Sequence, residues 1–321
     1  MNKILIALMA ALSPMALAAK NIDIVVKTDT FSLPGVLTVP DKVVGKVPCV
    51  LFVHGSGPND RDETIGPNKV FKDIADSLSI NGIASLRYDK RTLVYGEKYL
   101  PQGAEANYYY ETVADAVSAV ETACNLPEID SNSVYVLGHS LGAMLAPEIA
   151  QKSGKTSGLI MLAPPAQKIL DLMLAQCNYL KNVYSKLGAT QAVEIMNQMA
   201  VAAENGKKIG NADYDEKIGL PQGLTESYIK YDNEYNPVQV AESLSIPIFM
   251  AFGLRDYQVP FSNYNIWLKA MSKHKNVNVK IYFNVNHIMR EGAGEPSPLE
   301  YNEKRAMSPQ VMKDIITFIK K

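Results

Sequence analysis

The feature that most constrains this fold is a glycine-flanked serine between a strand and a helix. The motif GHSLG at 138–142 follows an apolar run at 134–137 and leads into a segment with helical spacing. A serine in this strand–turn–helix context is typical of a nucleophile elbow. Gly138 and Gly142 lack the side chains that would collide where the backbone folds back on itself. The sequence therefore predicts an α/β fold with Ser140 presented at the carboxyl end of a strand.

The rest of the chain alternates predicted strands with predicted helices. Two β-rich segments come first and the alternation follows. Strands are predicted at 22–27, 31–39, 48–53, 82–88, 133–137, 158–162, 246–252 and 277–283, and helices at 68–80, 107–123, 141–151, 261–272 and 308–320. This order indicates a mostly parallel central sheet, with right-handed crossovers that place helices on both faces.

The alternation stops between about 167 and 243, where no convincing strand is found. Helical runs occupy 169–187 and 190–204 instead. We interpret this segment as a helical cap inserted over the sheet edge, the alternative being an ordinary pair of packing helices. The predicted organisation is a signal peptide at 1–19, followed by one α/β domain at 20–321 that contains the cap.

The N-terminal segment has the pattern of an export signal. Lys3 precedes an apolar run at 4–12, and ALA at 16–18 is the small-x-small pattern that a signal peptidase recognises. A Ser-Pro pair ends the run well short of the roughly 20 residues that a membrane-spanning helix needs. We expect an extracytoplasmic protein, periplasmic or secreted, without a stable membrane anchor. The alternative is a retained N-terminal helix.

Composition argues against several classes of function. A net charge of −1 gives no basic surface for nucleic acid or for an anionic membrane. The three cysteines cannot all pair: Cys49 lies in a predicted core strand, which favours a buried thiol, and pairing of Cys124 with Cys177 stays open. No CxxC motif or histidine-rich cluster indicates a metal, and we expect no cofactor. The oligomeric state stays open.

A serine nucleophile needs a neighbouring base, and the chain has four histidines. His139 adjoins Ser140 in the turn, so its side chain is expected to point elsewhere. His54 suits a role in shaping a loop, and His274 suits a solvated helix end. His287 follows the last predicted strand and leaves the same sheet edge as Ser140. We therefore predict His287 as the base, the alternative being a structural loop histidine.

The predicted acid is Asp256, the only carboxylate in the loop after the strand at 246–252. It gives the chain order Ser, Asp, His that is typical of such hydrolytic sites. Its role would be to accept the ring N–H of His287 and to fix the tautomer. The alternative is an aspartate that caps a turn.

The loop HGSGP at 54–58 follows the first core strand and is predicted to supply an oxyanion donor. We assign the N–H groups of Ser56 and Leu141 to the oxyanion hole. Gly55 and Gly57 flank this serine and allow the backbone to approach a bound carbonyl closely.

A run of charges, DRDE at 60–63, follows this loop directly. One interpretation is substrate contact at the mouth of the site. The other, which we prefer, is a salt-bridged loop that holds the oxyanion segment against RYDKR at 87–91.

Together these segments resemble a bacterial family of α/β hydrolases, often labelled dienelactone-hydrolase-like and grouped near acyl-aminoacyl peptidases and acetyl-xylan or feruloyl esterases. The segments that carry the resemblance lie at 54–63, 87–91, 138–147, 236–260 and 284–294. The resemblance implies an α/β-hydrolase fold in which Ser140, Asp256 and His287 are catalytic. It also implies that Ser56 and Leu141 form the oxyanion hole. True dienelactone hydrolases use a cysteine as nucleophile, which argues against a dienelactone substrate here.

The expected activity is hydrolysis of a small-molecule carboxylic ester through an acyl-serine intermediate. A peptidase or thioesterase with the same triad is the first alternative, although export would separate the protein from cytoplasmic acyl-CoA. A non-catalytic binding protein on this fold is the second. Such proteins usually lose a triad member, whereas Ser140, Asp256 and His287 are all present.

Overall fold

The computed structural model describes residues 19–42 and 44–321. It contains a central sheet surrounded by helices. The strands are β1 (Ala19–Thr28), β2 (Phe31–Pro40), β3 (Val47–Val53), β4 (Thr64–Ile65), β5 (Asn68–Lys69), β6 (Ala84–Tyr88), β7 (Ile129–His139), β8 (Gly158–Leu162), β9 (Ile248–Gly253) and β10 (Val277–Tyr282). The helices are α1 (Val70–Ile80), α2 (Arg91–Tyr95), α3 (Ala114–Cys124), α4 (Leu141–Ser153), α5 (Ile169–Lys186), α6 (Thr190–Gly206), α7 (Glu226–Glu234), α8 (Pro237–Ser243), α9 (Ser262–Met271) and α10 (Pro309–Ile319).

The sheet has eight strands in the order β1-β2-β6-β3-β7-β8-β9-β10. β1 pairs with β2 and β2 with β6 in antiparallel fashion, and the remaining pairs are parallel. The predicted, mostly parallel sheet is confirmed. Because parallel strands end at the same edge, the loops after β3, β7, β9 and β10 all leave the sheet at one edge.

Strands β3, β8 and β9 are apolar along their length because both faces of the sheet are covered there. Along β3, Leu51 and Val53 pack into one core and Phe52, between them, packs into the other. Alternate side chains of a strand point to opposite faces, so these cores lie on the two sides of the sheet. Helices α3 and α4 contribute to the first core, and α1 and α10 to the second.

Four helices, α5 to α8, occupy the chain between β8 and β9, and no strand occurs in this fully described stretch. The predicted helical runs at 169–187 and 190–204 coincide with α5 and α6. These two helices pack on each other and, with α7, form a small core of Leu170, Ala203 and Ile229. Helix α8 packs against α4 of the α/β body, so the segment predicted as a cap ends in a helix that belongs to the body's core.

Some predicted boundaries differ from the structure. The predicted helix at 68–80 begins two residues early, because Asn68–Lys69 pairs with Thr64–Ile65 as a short hairpin. The predicted helix at 107–123 begins with a π-helical turn at Tyr109–Val113. Periodicity reports which face of a segment is buried, and it does not distinguish these tight local conformations.

All three cysteines are free thiols, so Cys124 and Cys177 are not paired. Among the residues described, no group of His, Cys, Asp and Glu is arranged to hold a metal ion. No described helix has the length and apolar character needed to cross a membrane. The predicted export signal at 1–19 lies outside the described residues except for Ala19, where β1 begins.

Candidate active site

Ser140 occupies a strained turn between β7 and α4. Its backbone has φ 53° and ψ −119°, a conformation that residues other than glycine rarely adopt. The turn is held by the Ser140 N–H, which donates to the Leu162 carbonyl at 2.9 Å. A Cβ on Gly138 would lie 2.2 Å from the Gly142 carbonyl oxygen, and a Cβ on Gly142 would lie 2.1 Å from the Val53 carbonyl oxygen. The two glycines are therefore required by close backbone approaches on both sides of the serine.

Asp256 and His287 meet although they come from different loops. Asp256 follows β9 and His287 follows β10, and both side chains are buried. The Nδ1 atom of His287 lies 2.8 Å from Oδ2 of Asp256. The other carboxylate oxygen, Oδ1, accepts the N–H groups of Gln258 and Val259 at 2.8 and 2.9 Å. The carboxylate is thus fixed by its own loop and can hold the imidazole in one orientation.

Ser140 and His287 line the same cavity, where the loops after β7 and β10 approach each other. Both residues are described, and no hydrogen bond joins the serine hydroxyl to the imidazole. Such contacts between nucleophile and base often tighten only when substrate is bound.

The loop at 54–58, which the sequence predicts to supply an oxyanion donor, lies against the serine. A Cβ on Gly55 would lie 3.3 Å from the Ser140 Cβ, and Gly57 has a φ of 92°. Ser56 and Leu141 both line the cavity. In the part of the chain that the structure describes, neither of their N–H groups donates to a protein acceptor. Two unpaired N–H donors beside a serine are suited to stabilise a developing oxyanion.

His54 lies beneath this segment and outside the cavity. It is buried, with its ring against the rings of Phe71 and Tyr88. Burial lowers the pKa of His54 to about 4, so the ring is neutral at physiological pH. These contacts tie His54 to α1 and β6, and its predicted role in shaping the loop stays a prediction.

His139 makes contacts that the sequence did not predict. Its Nδ1 lies 2.9 Å from Oε2 of Glu63, and its Nε2 lies 3.0 Å from the carbonyl oxygen of His287. Burial alone would lower the pKa of His139, but the Glu63 carboxylate raises it overall. Glu63 also accepts the Gly55 N–H at 2.7 Å. This buried pair therefore connects the loop at 54–58, the serine turn and the His287 loop.

The charge run at 60–63 divides into two parts. Arg61 pairs with Asp89 at 2.7 Å, and Asp62 pairs with Arg87, which agrees with the preferred interpretation of a salt-bridged loop. Glu63 departs from that interpretation, because it turns inward and lines the cavity. Nothing in the sequence separates Glu63 from its charged neighbours.

The cavity has a volume of about 900 Å³ and lies between the sheet edge and the cap. Leu172 and Met173 of α5 and Tyr228 of α7 form part of its roof. Its described lining contains no lysine or arginine, whereas it includes Glu97 and Glu111. The arrangement can bind a neutral, partly apolar molecule beside the serine.

Comparison with known proteins identifies one matching family and several solved structures with a similar fold. The model of the family "Serine aminopeptidase, S33" matches residues 49–291. Esterase EstD of Thermotoga maritima is 40% identical over 289 residues, which cover 90% of this chain and 66% of the esterase, just under two thirds of that relative.

Solved structures with a similar fold share little sequence with this chain. Est1E from Butyrivibrio proteoclasticus has a TM-score of 0.58 at 16% identity, covering 93% of this chain and 99% of its own. An esterase of Pyrococcus furiosus has a TM-score of 0.58 at 16% identity, covering 96% and 93%. The acylaminoacyl peptidase of Pyrococcus horikoshii has a TM-score of 0.56 at 16% identity, covering 94% of this chain and 41% of the peptidase.

Proposed function

The chain belongs to the serine aminopeptidase family S33 of α/β hydrolases, and from this premise we propose that it hydrolyses carboxylic esters through an acyl-serine intermediate. The predicted α/β-hydrolase fold is confirmed by the sheet topology and by the similarity to esterase structures. The observation that carries the proposal is the buried contact of 2.8 Å between Asp256 and His287, because His287 lines a cavity that is also lined by Ser140 and by Ser56 and Leu141, whose N–H groups have no acceptor among the described residues.

In the proposed mechanism the hydroxyl oxygen of Ser140 attacks the ester carbonyl carbon. His287 takes the hydroxyl proton and then gives it to the leaving alcohol as the C–O bond breaks. Asp256 holds the tautomer and stabilises the imidazolium. A water then attacks the acyl carbon with His287 again as base, and His287 gives the proton to the Ser140 oxygen as the bond between this oxygen and the acyl carbon breaks and the acid is released. The N–H groups of Ser56 and Leu141 donate to the oxyanion in both steps.

Three observations favour esters as the substrate class. A relative that is 40% identical to this chain over 289 residues carries the name esterase. The described cavity lining has no cation to bind the phosphates of an acyl-CoA. Its lining includes apolar cap residues such as Leu172 and Met173, which suit an uncharged acyl or alcohol group.

Aminopeptidase activity is the second candidate, because the matching family is described by that reaction. Among the acidic lining residues, Glu63 already contacts His139 and Glu111 already pairs with Lys90, which leaves the exposed Glu97 to attract a substrate amino group. Parallel assays with amino-acid p-nitroanilides and p-nitrophenyl esters of graded chain length separate the two candidates. A higher kcat/KM for the anilides would overturn the ester proposal.

The serine mechanism is tested by Ser140→Ala, with Ser153→Ala at the other end of α4 as the matched control. We expect Ser140→Ala to lower kcat by about 10⁶-fold and to abolish labelling by a fluorophosphonate probe. Ser153→Ala should retain both. Retained hydrolysis by Ser140→Ala, or labelling of a different serine, would contradict the mechanism. A folded wild-type protein that neither labels nor hydrolyses any ester would support the non-catalytic alternative.

We also propose that the protein is exported. The support is the signal-peptide pattern of the sequence, in which Lys3 precedes an apolar run at 4–12 and ALA follows at 16–18. N-terminal sequencing of the protein from cell fractions tests this. A mature protein that begins at Ala19 or Lys20 outside the cytoplasm is expected, and an intact Met1 in the cytoplasmic fraction would refute it.

A further inference from the structure

A buried lysine lies directly behind the oxyanion segment. Lys90 follows β6, is only 1% exposed, and is absent from the cavity lining. Its ammonium donates to the Gly55 carbonyl oxygen at 3.0 Å and to Oε1 of Glu111 at 2.5 Å. A lysine is rarely buried to this extent unless its charge is paired, so this position requires a reason.

The contact to Gly55 determines where the Ser56 N–H points. The Gly55 carbonyl and the Ser56 N–H belong to one peptide unit, and in a planar trans peptide they point in opposite directions. A cation that holds the carbonyl oxygen therefore fixes the N–H in the opposite direction within the same peptide plane. Asn59 adds a second donor to the same carbonyl at 3.1 Å.

The same contact strengthens the Ser56 N–H as a donor. A hydrogen bond to the carbonyl oxygen polarises the peptide, and chains of hydrogen bonds strengthen one another by roughly 10–30% per bond in condensed-phase estimates. The effect is larger for a charged donor in a buried site than for a neutral donor exposed to water.

Glu111 connects this lysine to the cap. Its second carboxylate oxygen, Oε2, accepts the hydroxyl of Tyr228, which lies on α7. The Tyr228 hydroxyl lies 3.1 Å from that of Tyr99, and both tyrosines line the cavity. A continuous set of buried polar contacts thus runs from the cap helix to the peptide that carries the Ser56 N–H.

We propose that Lys90 is a positioning residue of the oxyanion hole, which holds and polarises the Gly55–Ser56 peptide, and that Glu111 and Tyr228 link it to the cap. The inference rests on the proposed function, since it assigns Ser56 to the oxyanion hole. It adds a residue that touches neither the substrate nor the three side chains of the proposed triad.

The test compares Lys90→Met with Arg91→Met. Arg91 is the next residue, is equally buried and pairs with Asp115, yet it makes no hydrogen bond to the loop at 54–58. Rates are normalised to active sites counted by fluorophosphonate labelling, so that loss of folded protein does not count as loss of catalysis. We expect Lys90→Met to lower kcat by about 10- to 100-fold with KM within threefold, which is part of the cost of losing one oxyanion donor.

A trifluoromethyl ketone gives a readout that a merely structural lysine would not change. Its hemiketal with Ser140 places an oxyanion in the proposed hole, and carbon-13 NMR of the labelled ketone follows the ionisation of this adduct. In Lys90→Met we expect the Ki of the ketone to rise and kcat to fall by the same factor. We also expect the hemiketal to ionise at higher pH. Unchanged values per active site, or equal losses in Arg91→Met, would overturn the inference.

Tyr228→Phe tests the link to the cap. It also provides a second test of the proposal if Lys90→Met does not fold. It removes only the hydroxyl that donates to Glu111, and we expect a smaller shift of the hemiketal ionisation in the same direction. An unchanged ionisation would refute the link. Failure of the proposed function is distinguishable, because wild-type protein would then fail to label at Ser140 or to hydrolyse esters, before any comparison between variants.

Discussion

Replacing Glu63 should lower the free energy of unfolding of the whole protein as well as disturb the candidate active site. The carboxylate is 1% exposed, accepts the Gly55 N–H at 2.7 Å and lies 2.9 Å from the Nδ1 of His139. Glu63→Ala removes one partner of a buried pair and leaves the other uncompensated, which costs about 3–5 kcal/mol. Glu63→Gln keeps the shape and the acceptor for Gly55, so it loses only the charge, about 1–2 kcal/mol.

These energies convert into measurable shifts of the melting temperature. Unfolding entropy is about 2.1 cal/mol/K per residue, or roughly 0.6 kcal/mol/K for a chain of about 300 residues. Glu63→Ala should therefore melt about 5–8 °C below wild type, and Glu63→Gln about 2–3 °C below. Glu295→Gln is a matched control, because Glu295 pairs with Lys186 on the surface with both side chains about half exposed. It should melt within about 1 °C of wild type.

The loss in Glu63→Gln should depend on pH. Burial opposes ionisation of Glu63, but His139 lowers its pKa overall, so its contribution is present above the ordinary value of 4.5 and is lost as the pH falls through the lowered pKa. The pKa of His139 is raised, so its contribution is present below the ordinary value of 6.5 and is lost as the pH rises through the raised pKa. The pair therefore stabilises the fold most between about pH 4.5 and 6.5.

Thermal melting followed by circular dichroism at pH 6 and pH 9 checks this reasoning. The difference between wild type and Glu63→Gln should be larger at pH 6 than at pH 9, while Glu295→Gln should show no such change. A difference that is equal at both pH values, or a Glu63→Ala variant that melts within 1 °C of wild type, would refute the assignment of a buried charged pair.

Three further outcomes are expected. Asp256→Asn should lower kcat by about 10⁴-fold with little change in melting temperature, because the amide favours the wrong histidine tautomer; a loss below tenfold in steady-state assays would contradict this. Gly142→Ala should destabilise the fold by about 3 kcal/mol or more, since its Cβ would lie 2.1 Å from a β3 carbonyl oxygen, and a melting temperature within 2 °C of wild type would contradict it. Thiol titration without reductant should detect three thiols in denaturant, and fewer than three would indicate a disulfide. In the native protein at most one thiol should react rapidly, namely that of the partly exposed Cys124, because Cys49 and Cys177 are buried.

Features that depend on local chain geometry could be predicted from the sequence. The alternation of apolar strands and helices determines a parallel sheet, because each strand must be covered on both faces. The glycines at 138 and 142 determine the serine turn, because a Cβ atom at either position would collide with a neighbouring backbone carbonyl oxygen. Asp256 and His287 could be paired in advance, because parallel strands end at one sheet edge and chain order limits the choice.

Only the tertiary structure decided which charged residues of this site are buried and paired. Glu63 belongs to a run of four charged residues that the sequence does not distinguish from one another. Its contact with His139 joins two residues that are 76 positions apart in the chain, and the contact of Lys90 with Glu111 joins two that are 21 positions apart. Hydrophobic periodicity predicts which apolar side chains are buried. It does not predict the burial of a charged side chain whose partner lies far away in the sequence. The sequence by itself determined the sheet, the turn and the chain order of the candidate triad. The packing of distant segments decided the buried polar contacts that hold the loop at 54–58 in place.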